Sequence, residues 1–437
     1  MQSGGLGTGS AVLEGAEACS RRLPEPLRTF WLINVILAAI CAASVGAEKY
    51  FLHRRLPYTS PFYPFQNWND LLCFMARFQH FHRLDFFSEA PSFGARFAYP
   101  APAALLYEAF YASGSHPVRN FFLVTGILVL ALGAILGREM VRRGISPWTT
   151  FLFLISALLV SCPLWFEYLL GNIEIGIFLL VAFGILAFLR GHLVLSAALI
   201  GVAASMKIFP FVYLALFLSR RRYKEFALGM IAIAVTSLVS LWFVCPSLPI
   251  ASRGIWSGLT GFQNKYILPY RLIETGFDHS LLGLIKGLSH HFYGWMMPAH
   301  LLTVYLEFAS VAGLAMYFLR IRFMPFLNQV LCLSIASILL PPTSQEYTLL
   351  HLYIPWGLMV LYAIDQAEAN RNIDGIRSVF ICFAILFSAE SELIYKAHGS
   401  PNTHGYSGQF KAIVLTVLLV ISLSKPFAFS AARKIQA

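Results

Sequence analysis

Long runs of apolar residues recur along the chain and are separated by short polar segments. A run of about 20 apolar residues is the length that an α-helix needs to cross a lipid bilayer. The pattern therefore predicts an all-α polytopic membrane protein, a helical bundle of about 12 transmembrane helices. The predicted helices cover about residues 29–47, 118–137, 148–166, 172–189, a short pair within 191–219, 226–244, 300–319, 328–340, 349–364, 376–394 and 411–424.

The composition excludes most other classes of protein. Hydrophobic residues make up 58% of the 437 residues, and charged residues only 12%, against about a quarter in a soluble protein. The net charge of +11 is spread in short groups between the apolar runs, so nucleic acid is not an expected partner. Anionic membrane lipids and lipid phosphates suit such groups better.

The positions of the basic residues predict the orientation in the membrane, because loops on the cytoplasmic side are enriched in Lys and Arg. We expect the chain to lie in the inner membrane, with both termini in the cytoplasm. We expect a disordered tail over 1–27, one transmembrane domain over 28–425 with outer loops 48–117 and 245–299, and a second tail over 426–437. The basic groups that define the inner side are Arg138/Arg142/Arg143, Arg190, Arg220–Arg222, Arg320/Arg322, Arg371/Arg377 and Lys425/Arg433/Lys434.

One interval between inner basic groups is too short for a full helical hairpin. Only 29 residues lie between Arg190 and Arg220, whereas two spans need about 40 residues. The interval therefore predicts two short helices that meet part-way through the bilayer, with the turn at Lys207–Pro210. Irregular backbone at that depth must be buried in protein or line a wet cavity.

Lys207 is consequently a candidate binding residue. An ammonium at membrane depth needs an anionic partner. The partner is either the phosphate of a bound lipid or an internal carboxylate of the protein, and the sequence leaves both open.

The predicted outer segments carry the remaining candidates. Asp70 precedes an amphipathic run, so it is either a general base in a water-limited cleft or the N-cap of a helix. Asn172 and Glu174 open a helix, as a cap and a first-turn acid or as groups that bind sugar hydroxyls. Tyr99 begins a Tyr-Pro-x-Pro run that is a plain helix start or a cavity wall. Glu346 is a first-turn acid or a second active-site carboxylate.

Taken in order, several short motifs resemble glycosyltransferase family 87, within the GT-C superfamily of membrane glycosyltransferases. The resemblance covers about residues 60–360. Its parts are Asp70, Tyr99–Pro102, Gly171–Glu174, the Gly-x₅-Lys-x₂-Pro spacing from Gly201 to Pro210, Arg220–Tyr223, Asp278–Leu281 with Lys286, and Pro342–Ser344.

The resemblance implies a GT-C-like bundle and a hexosyltransferase-like enzyme. Such an enzyme moves mannose or a related sugar from a polyprenyl phosphate to a lipid or glycan hydroxyl on the outer side of the membrane. By position, Asp70 is the acidic loop residue, and Lys207 lies beside the donor phosphate, with Arg271 and Lys286 as further phosphate ligands. Sugar and acceptor contacts would come from Tyr99, Asn172, Glu174, Asp278 and His279.

One departure from the family pattern concerns catalysis. Members often carry a Trp and a His after the Pro-x-Ser turn, where this chain has Gln345, Glu346 and Tyr347. Glu346 is therefore the candidate substitute, catalytic together with Asp70. The expected reaction is an inverting displacement with neither metal nor cofactor.

Two other functions remain open at this point. A transporter or flippase of lipid-linked sugars also needs a cavity and a cation at mid-depth. A membrane enzyme that ligates acyl or polymer chains is expected to depend on an outer histidine or arginine pair.

Overall fold

The structure, a computed structural model, describes residues 22–51, 53, 70–72, 78–87, 99–268, 277–293, 299–369, 375–388 and 407–429, which form helices joined by turns and short irregular segments. The helices are α1 Glu25–Gly46, α2 Ala101–Tyr111, α3 Pro117–Arg142, α4 Pro147–Leu159, α5 Cys162–Leu170, α6 Glu174–Leu189, α7 Leu193–Met206, α8 Ala215–Ser219, α9 Tyr223–Val244, α10 Leu248–Phe262, α11 Leu281–Tyr293, α12 Ala299–Leu319, α13 Phe326–Leu339, α14 Tyr353–Glu368, α15 Ile376–Phe387 and α16 Ser407–Ser424. Short 3₁₀ segments at Phe209–Leu214 and Glu346–Leu352 lead into α8 and α14.

Among the residues that the structure describes, six stretches are long and apolar enough to cross a membrane: Glu25–Ser44, Pro117–Arg142, Tyr223–Val244, His300–Phe323, Glu346–Glu368 and Ser407–Ser424. A seventh results if α4 and α5, which meet at an angle of 51°, form one bent span. The all-helical membrane class is thereby confirmed. Five further apolar segments, which include α6, α7, α13 and α15, have only 10–17 residues, so the count of 12 spans stays a prediction.

The break that the sequence predicts between the two short helices of residues 191–219 is present. Helix α7 ends at Met206, and Lys207 has an extended backbone with φ −144° and ψ 145°. The chain then resumes as the 3₁₀ segment with Pro210 in its first turn, a position that suits a residue without an N–H donor. The side chain of Lys207 consequently leaves the helix axis and points toward neighbouring segments.

Helix α7 packs closely between α6 and α9. A Cβ atom on Gly201 of α7 would lie 2.6 Å from the carbonyl oxygen of Gly229 in α9. Small residues at such crossings let helix backbones approach, which is how helices commonly associate in membranes. This close packing fixes the end of α7, and hence Lys207, relative to the rest of the bundle.

An aromatic cluster joins the N-terminal helix to the C-terminal half of the chain. The ring of Phe30 in α1 lies 5.9 Å from Phe153, 5.5 Å from Trp356 and 6.1 Å from Phe380. Phe30 is fully buried, and aromatic pairs at these separations stabilise a core beyond the area they bury. Helices α1, α4, α14 and α15 thus form one packed unit beside α6 and α7.

Candidate active site

Five separate segments meet beside the N-terminal end of α6. They contribute the polar residues Asp70, Tyr99, Asn172, Glu174, Lys207 and His351, which we call the Lys207 network. Asn172, Glu174 and His351 are fully buried, and the other three members are partly buried. Ionisable groups at such depth are costly and mark functional sites by default.

The turn between α5 and α6 places two of these residues. Gly171 ends α5 with a φ of 62°, a left-handed conformation that glycine adopts without a steric cost. The chain then reverses, and Asn172 Oδ1 accepts a hydrogen bond of 3.0 Å from the N–H of Glu174. This contact satisfies one of the donors left free at the start of α6, in agreement with the capping role expected of Asn172.

The amide nitrogen of Asn172 joins the segment that carries Asp70 to the bundle. It donates to Asp70 Oδ2 at 2.6 Å and to the hydroxyl oxygen of Tyr99 at 3.0 Å. Both protons of the amide are therefore used. Asn172, Asp70 and Tyr99 were expected near one site from the sequence, and the structure brings them into direct contact.

Lys207 forms an ion pair with Glu174. Its ammonium also lies 5.4 Å from the centre of the Tyr99 ring and 4.9 Å from that of Tyr347, within the range of cation–π attraction. The Glu174 side chain is fully buried, whereas 16% of the Lys207 side chain is exposed. Of the two partners expected for Lys207, the structure contains the internal carboxylate.

His351 is the site residue that sequence reasoning missed. Its Nε2 lies 2.8 Å from Glu174 Oε1, and because a carboxylate only accepts, this nitrogen is the donor. The rings of Phe178 and Phe209 approach the imidazole edge-on, with centroids 6.1 Å and 4.9 Å away. A polar side chain within the apolar run Leu349–Leu352 was the available indication in the sequence.

Two hydrogen-bond donors, the Lys207 ammonium and the His351 imidazole, thus contact the Glu174 carboxylate at once. Lys207 takes one carboxylate oxygen and His351 takes the other. The paired contacts fix the rotamer of the carboxylate, and the carboxylate in turn fixes the ammonium. Helix α6 contributes as well, because a helix N-terminus favours negative charge in its first turn.

Burial raises the pKa of Asp70 above its usual value, while the hydrogen bond from Asn172 and the charge of Lys207 act in the opposite direction. A carboxylate with a raised pKa holds a proton more firmly once it has taken one. That property suits a general base, whose proton affinity must compete with that of the group it activates. Asp70 also begins the short helical stretch 70–72, so the capping position and the base role coincide.

A further buried carboxylate, Glu167 in α5, lies next to this turn. Its Oε1 accepts from the N–H of Ile175 at 3.0 Å. Its Oε2 is buried and has no hydrogen-bond partner among the residues the structure describes. Glu167 was not among the sequence candidates, because it lies within an apolar helix that gave no motif.

Glu346 belongs to a different cluster. Its carboxylate binds Lys411 of α16 through one oxygen and His279 Nε2 at 2.8 Å through the other. All three side chains are at most 1% exposed. The structure does not bring Glu346 into contact with Asp70, since both of its oxygens are used within what we call the Lys411 cluster.

Asp278 tethers the same region rather than joining the Lys207 network. Its Oδ1 accepts from the N–H groups of Ser280 and Ser344, each at 2.9 Å. His279 donates its own N–H to the carbonyl of Ser344 at 2.7 Å. These bonds tie the start of α11 to the turn before the 3₁₀ segment, so Asp278 and His279 lie apart from Asn172 and Tyr99.

The two other expected phosphate ligands do not join Lys207 in the part of the chain that is described. Lys286 of α11 is buried and donates to the carbonyl of Ile267 at 2.6 Å. Arg271 lies outside the described residues. The described ranges hold no group of three or more His, Cys, Asp or Glu side chains that could bind a metal ion, and the expectation of a metal-independent reaction stays a prediction.

Comparison with known proteins gives one result. The sequence model of glycosyltransferase family 87 matches residues 97–342, more than half of the chain. The matched region contains Tyr99, Asn172, Glu174 and Lys207, whereas Asp70 and His351 lie on either side of it. Neither the curated proteins nor the solved structures give a significant match.

Proposed function

Because this chain belongs to glycosyltransferase family 87, we propose that it transfers a sugar from a polyprenyl-phosphate donor to a hydroxyl group of a lipid or glycan acceptor. Membership makes the chain a glycosyltransferase, and the apolar helices make it a multi-pass membrane protein. The donor class, the acceptor class and the roles of single residues are the proposal. Mannose or a related hexose or pentose is the expected sugar.

The observation that carries the proposal is the chain of contacts from Asp70 to Lys207. Asn172 connects Asp70 to Tyr99, and the Tyr99 ring lies beside the Lys207 ammonium. Asp70, the proposed base, and Lys207, the proposed cation, thereby contact the two members of the Asn172–Tyr99 pair. A sugar transfer from a phosphate needs both, because a proton leaves the acceptor while negative charge builds on the departing phosphate.

The proposed step is a single displacement. The acceptor oxygen attacks the anomeric carbon, the bond from that carbon to the phosphate oxygen breaks, and Asp70 takes the hydroxyl proton. Polyprenyl phosphate leaves with the electron pair of the broken bond, and the Lys207 ammonium stabilises its charge. The attack and the departure occur on opposite faces of the sugar, so the product has inverted configuration.

Glu174 and His351 are positioning residues in this scheme. Lys207 has three N–H donors, of which the contact with Glu174 uses one. The other two donors are the ones that we propose for the phosphate. Preorganised charge is worth more than mobile charge, because it costs no reorganisation during the reaction.

We assign Glu346 to the stability of the fold rather than to the chemistry. Its carboxylate is enclosed by Lys411 and His279, so it offers no free oxygen to a substrate. Lys286 is buried and donates one hydrogen bond to the carbonyl of Ile267, and its phosphate contact stays a prediction. Arg271 keeps its predicted phosphate-binding role as part of the proposal.

We place the site on the outer side of the membrane. Glu174 begins α6 and Arg190 follows its last residue, so about 24 Å of helix separates them. Arg190 belongs to the basic groups that mark the cytoplasmic side. Labelling of a cysteine introduced at Ser113 by a membrane-impermeant reagent in intact cells tests this orientation, and labelling only after lysis would contradict it.

The function itself is tested with the purified full-length protein in detergent. The protein is incubated with polyprenyl-phosphate mannose and with other polyprenyl-phosphate sugars, and release of free polyprenyl phosphate is followed by mass spectrometry. Release that depends on added acceptor supports the proposal. Absence of release from every donor, with acceptor lipids extracted from the native membrane present, would refute it.

The transporter alternative has no support in the family assignment. It predicts movement of a lipid-linked sugar across a reconstituted bilayer with the sugar–phosphate bond intact. The same mass spectrometric experiment separates the two functions, because only the transferase releases polyprenyl phosphate.

A further inference from the structure

A second feature of the bundle is an elongated cavity of about 370 Å³ between α3, α4, α6 and α14. Its walls consist mostly of aliphatic and aromatic side chains, such as Leu132, Leu158, Ile185 and Leu361. Leu132 and Leu158 are only partly buried, so the cavity can be reached from the lipid side of the bundle. An apolar cavity of this size is large enough for a hydrocarbon chain.

The cavity runs along the helices rather than across them. On α6 its lining extends from Phe178 to Leu189 and on to Arg190, about 18 Å of helix. On α3 it extends from Val129 to Arg142, about 20 Å. These lengths are roughly two thirds of the hydrocarbon thickness of a bilayer, which suits an extended acyl chain.

Positive charge is concentrated at one end of the cavity. Arg138, Arg142 and Arg190 all line it there, together with Glu139. Glu139 is neutralised, because it accepts from Arg142 and from Arg143, each at 2.8 Å. Arg143 is further held by Asp365 at 2.9 Å.

The other two arginines are not neutralised in this way. For Arg138 and Arg190 the described part of the chain provides no salt-bridge partner, and both side chains are exposed. The arginine end of the cavity therefore carries an excess of positive charge at the level where headgroups of the same leaflet lie.

The opposite end of the cavity stops short of the Lys207 network. Phe178, Leu350 and Tyr353 line that end, and none of Asp70, Asn172, Glu174, Lys207 or His351 does so within the described residues. A donor bound at Lys207 with its prenyl chain in this cavity would place the apolar end of that chain against the arginines. The charge distribution argues against that arrangement.

We propose that this cavity binds an anionic glycerophospholipid of the leaflet on the arginine side. One acyl chain lies along α3 and α6, and the phosphate interacts with Arg138 and Arg190. Each basic residue near an anionic headgroup adds to such binding, and the apolar walls take up the hydrocarbon. The site is separate from the proposed transferase site and does not depend on it.

The binding test uses the full-length protein in nanodiscs of phosphatidylcholine doped with a photoactivatable phosphatidylglycerol that carries a diazirine on its acyl chain. After irradiation, the labelled peptides are identified by mass spectrometry. The proposal expects labels within α3, α6 and α14. Competition by unlabelled phosphatidylglycerol should remove the label, and competition by phosphatidylcholine should not.

Two variants test the two parts of the site. In the Arg138→Gln/Arg190→Gln variant the labelling should fall on the order of tenfold. Gly133 lines the cavity, and a Cβ added there meets no atom within 4 Å, so Gly133→Phe should place its ring in the space and abolish the label.

Each variant has a matched control. Arg220→Gln/Arg222→Gln removes two exposed arginines from the same membrane face away from the cavity. Gly261→Phe adds the same ring on α10, where an added Cβ also meets no atom within 4 Å. Both controls should label as the wild type does.

Three results would overturn the proposal. The first is labelling that the Arg138/Arg190 substitutions leave unchanged, or that the control arginine pair reduces equally. The second is equal competition by phosphatidylcholine. The third is labelling of α3 and α6 by a photoactivatable polyprenyl phosphate that Gly133→Phe abolishes and the arginine substitutions do not, which would make the cavity the channel for the donor's tail.

Discussion

Lys207 forms its ion pair with Glu174, a residue 33 positions earlier in the chain, at the point where α7 ends. The lysine is placed by a break in one helix and the glutamate by the first turn of another. A pair made in this way fixes the relative position of α6 and α7 where these helices meet. It also holds a cation beside Tyr99 and Asn172, which contact Asp70.

The first prediction concerns the loss of this cation. Lys207→Met should lower the transfer rate by roughly 10²–10³-fold, the usual effect of removing one preorganised group that stabilises a leaving charge. It should also destabilise the protein by about 3–5 kcal/mol, because Glu174 is left as a buried charge. The measurements are donor turnover and thermal unfolding in detergent, with the exposed Lys224→Met as the control.

The two effects can be separated by a second substitution. Glu174→Gln in the Lys207→Met background removes the unpaired charge, so stability should return toward that of the wild type while turnover stays low. Recovery of turnover together with stability would show that Lys207 acts only on the fold.

The second prediction concerns pH. Asp70 must be ionised to accept a proton, so kcat/KM should fall as the pH decreases through its pKa. Burial raises that pKa, and the midpoint of the fall should therefore lie above the ordinary aspartate value of about 3.9. Asn172→Ala removes the hydrogen bond that lowers the pKa, so its midpoint should lie at higher pH than in the wild type.

The control for the pH profile is Asp85→Asn. Asp85 is exposed, and a hydrogen bond from His80 lowers its pKa, so the substitution should leave the midpoint unchanged. A midpoint that moves to lower pH in Asn172→Ala would contradict the assignment of the acid limb to Asp70.

The third prediction concerns His351. His351→Phe removes the donor to Glu174, which should cost about 1.5–3 kcal/mol of stability, the range for a hydrogen bond to a charged group. Because Lys207 is then held less firmly, kcat should fall while the binding of an acceptor that does not touch Lys207 should change little. Thermal unfolding tests the loss of stability and steady-state kinetics test the fall in kcat, with His300→Phe at an exposed position as the control. An unchanged kcat would show that His351 does not position Lys207.

The fourth prediction concerns the Lys411 cluster. Glu346→Gln leaves Lys411 buried without its counter-charge and should destabilise the protein by about 3–5 kcal/mol. Glu346→Gln/Lys411→Met should recover most of that loss. If Glu346 has no part in the chemistry, the turnover per folded molecule of each variant should equal that of the wild type. A variant that folds fully but does not transfer sugar would show that Glu346 is a catalytic residue.

Local features of the sequence predicted the parts of the site that depend on helix length and helix ends. The spacing of Arg190 and Arg220 is too short for two full spans, which predicts a break between them, and Pro210 locates that break at Lys207–Pro210. Asn172 follows a glycine and precedes an acidic residue, which is typical of a helix start. These arguments use only the rise of a helix and the chemistry of its first turn.

The sequence could not predict which charges pair across the bundle. Glu346 meets Lys411, 65 residues away, and Glu174 meets His351, 177 residues away. Such contacts depend on how the helices are arranged around one another, which periodicity does not specify. For that reason the sequence names Glu346 as a candidate active-site carboxylate and gives no motif for His351.

The most direct test of the account is the turnover of Asp70→Asn with a donor that the wild type uses. The substitution keeps the size of the side chain and its contact with Asn172 but removes the group that takes the proton. With Asp70 as the base, Asp70→Asn should fold and insert into the membrane normally and transfer sugar about 10²–10⁴-fold more slowly, whereas Asp85→Asn should turn over as the wild type does. Full activity of Asp70→Asn would show that Asp70 does not take the proton.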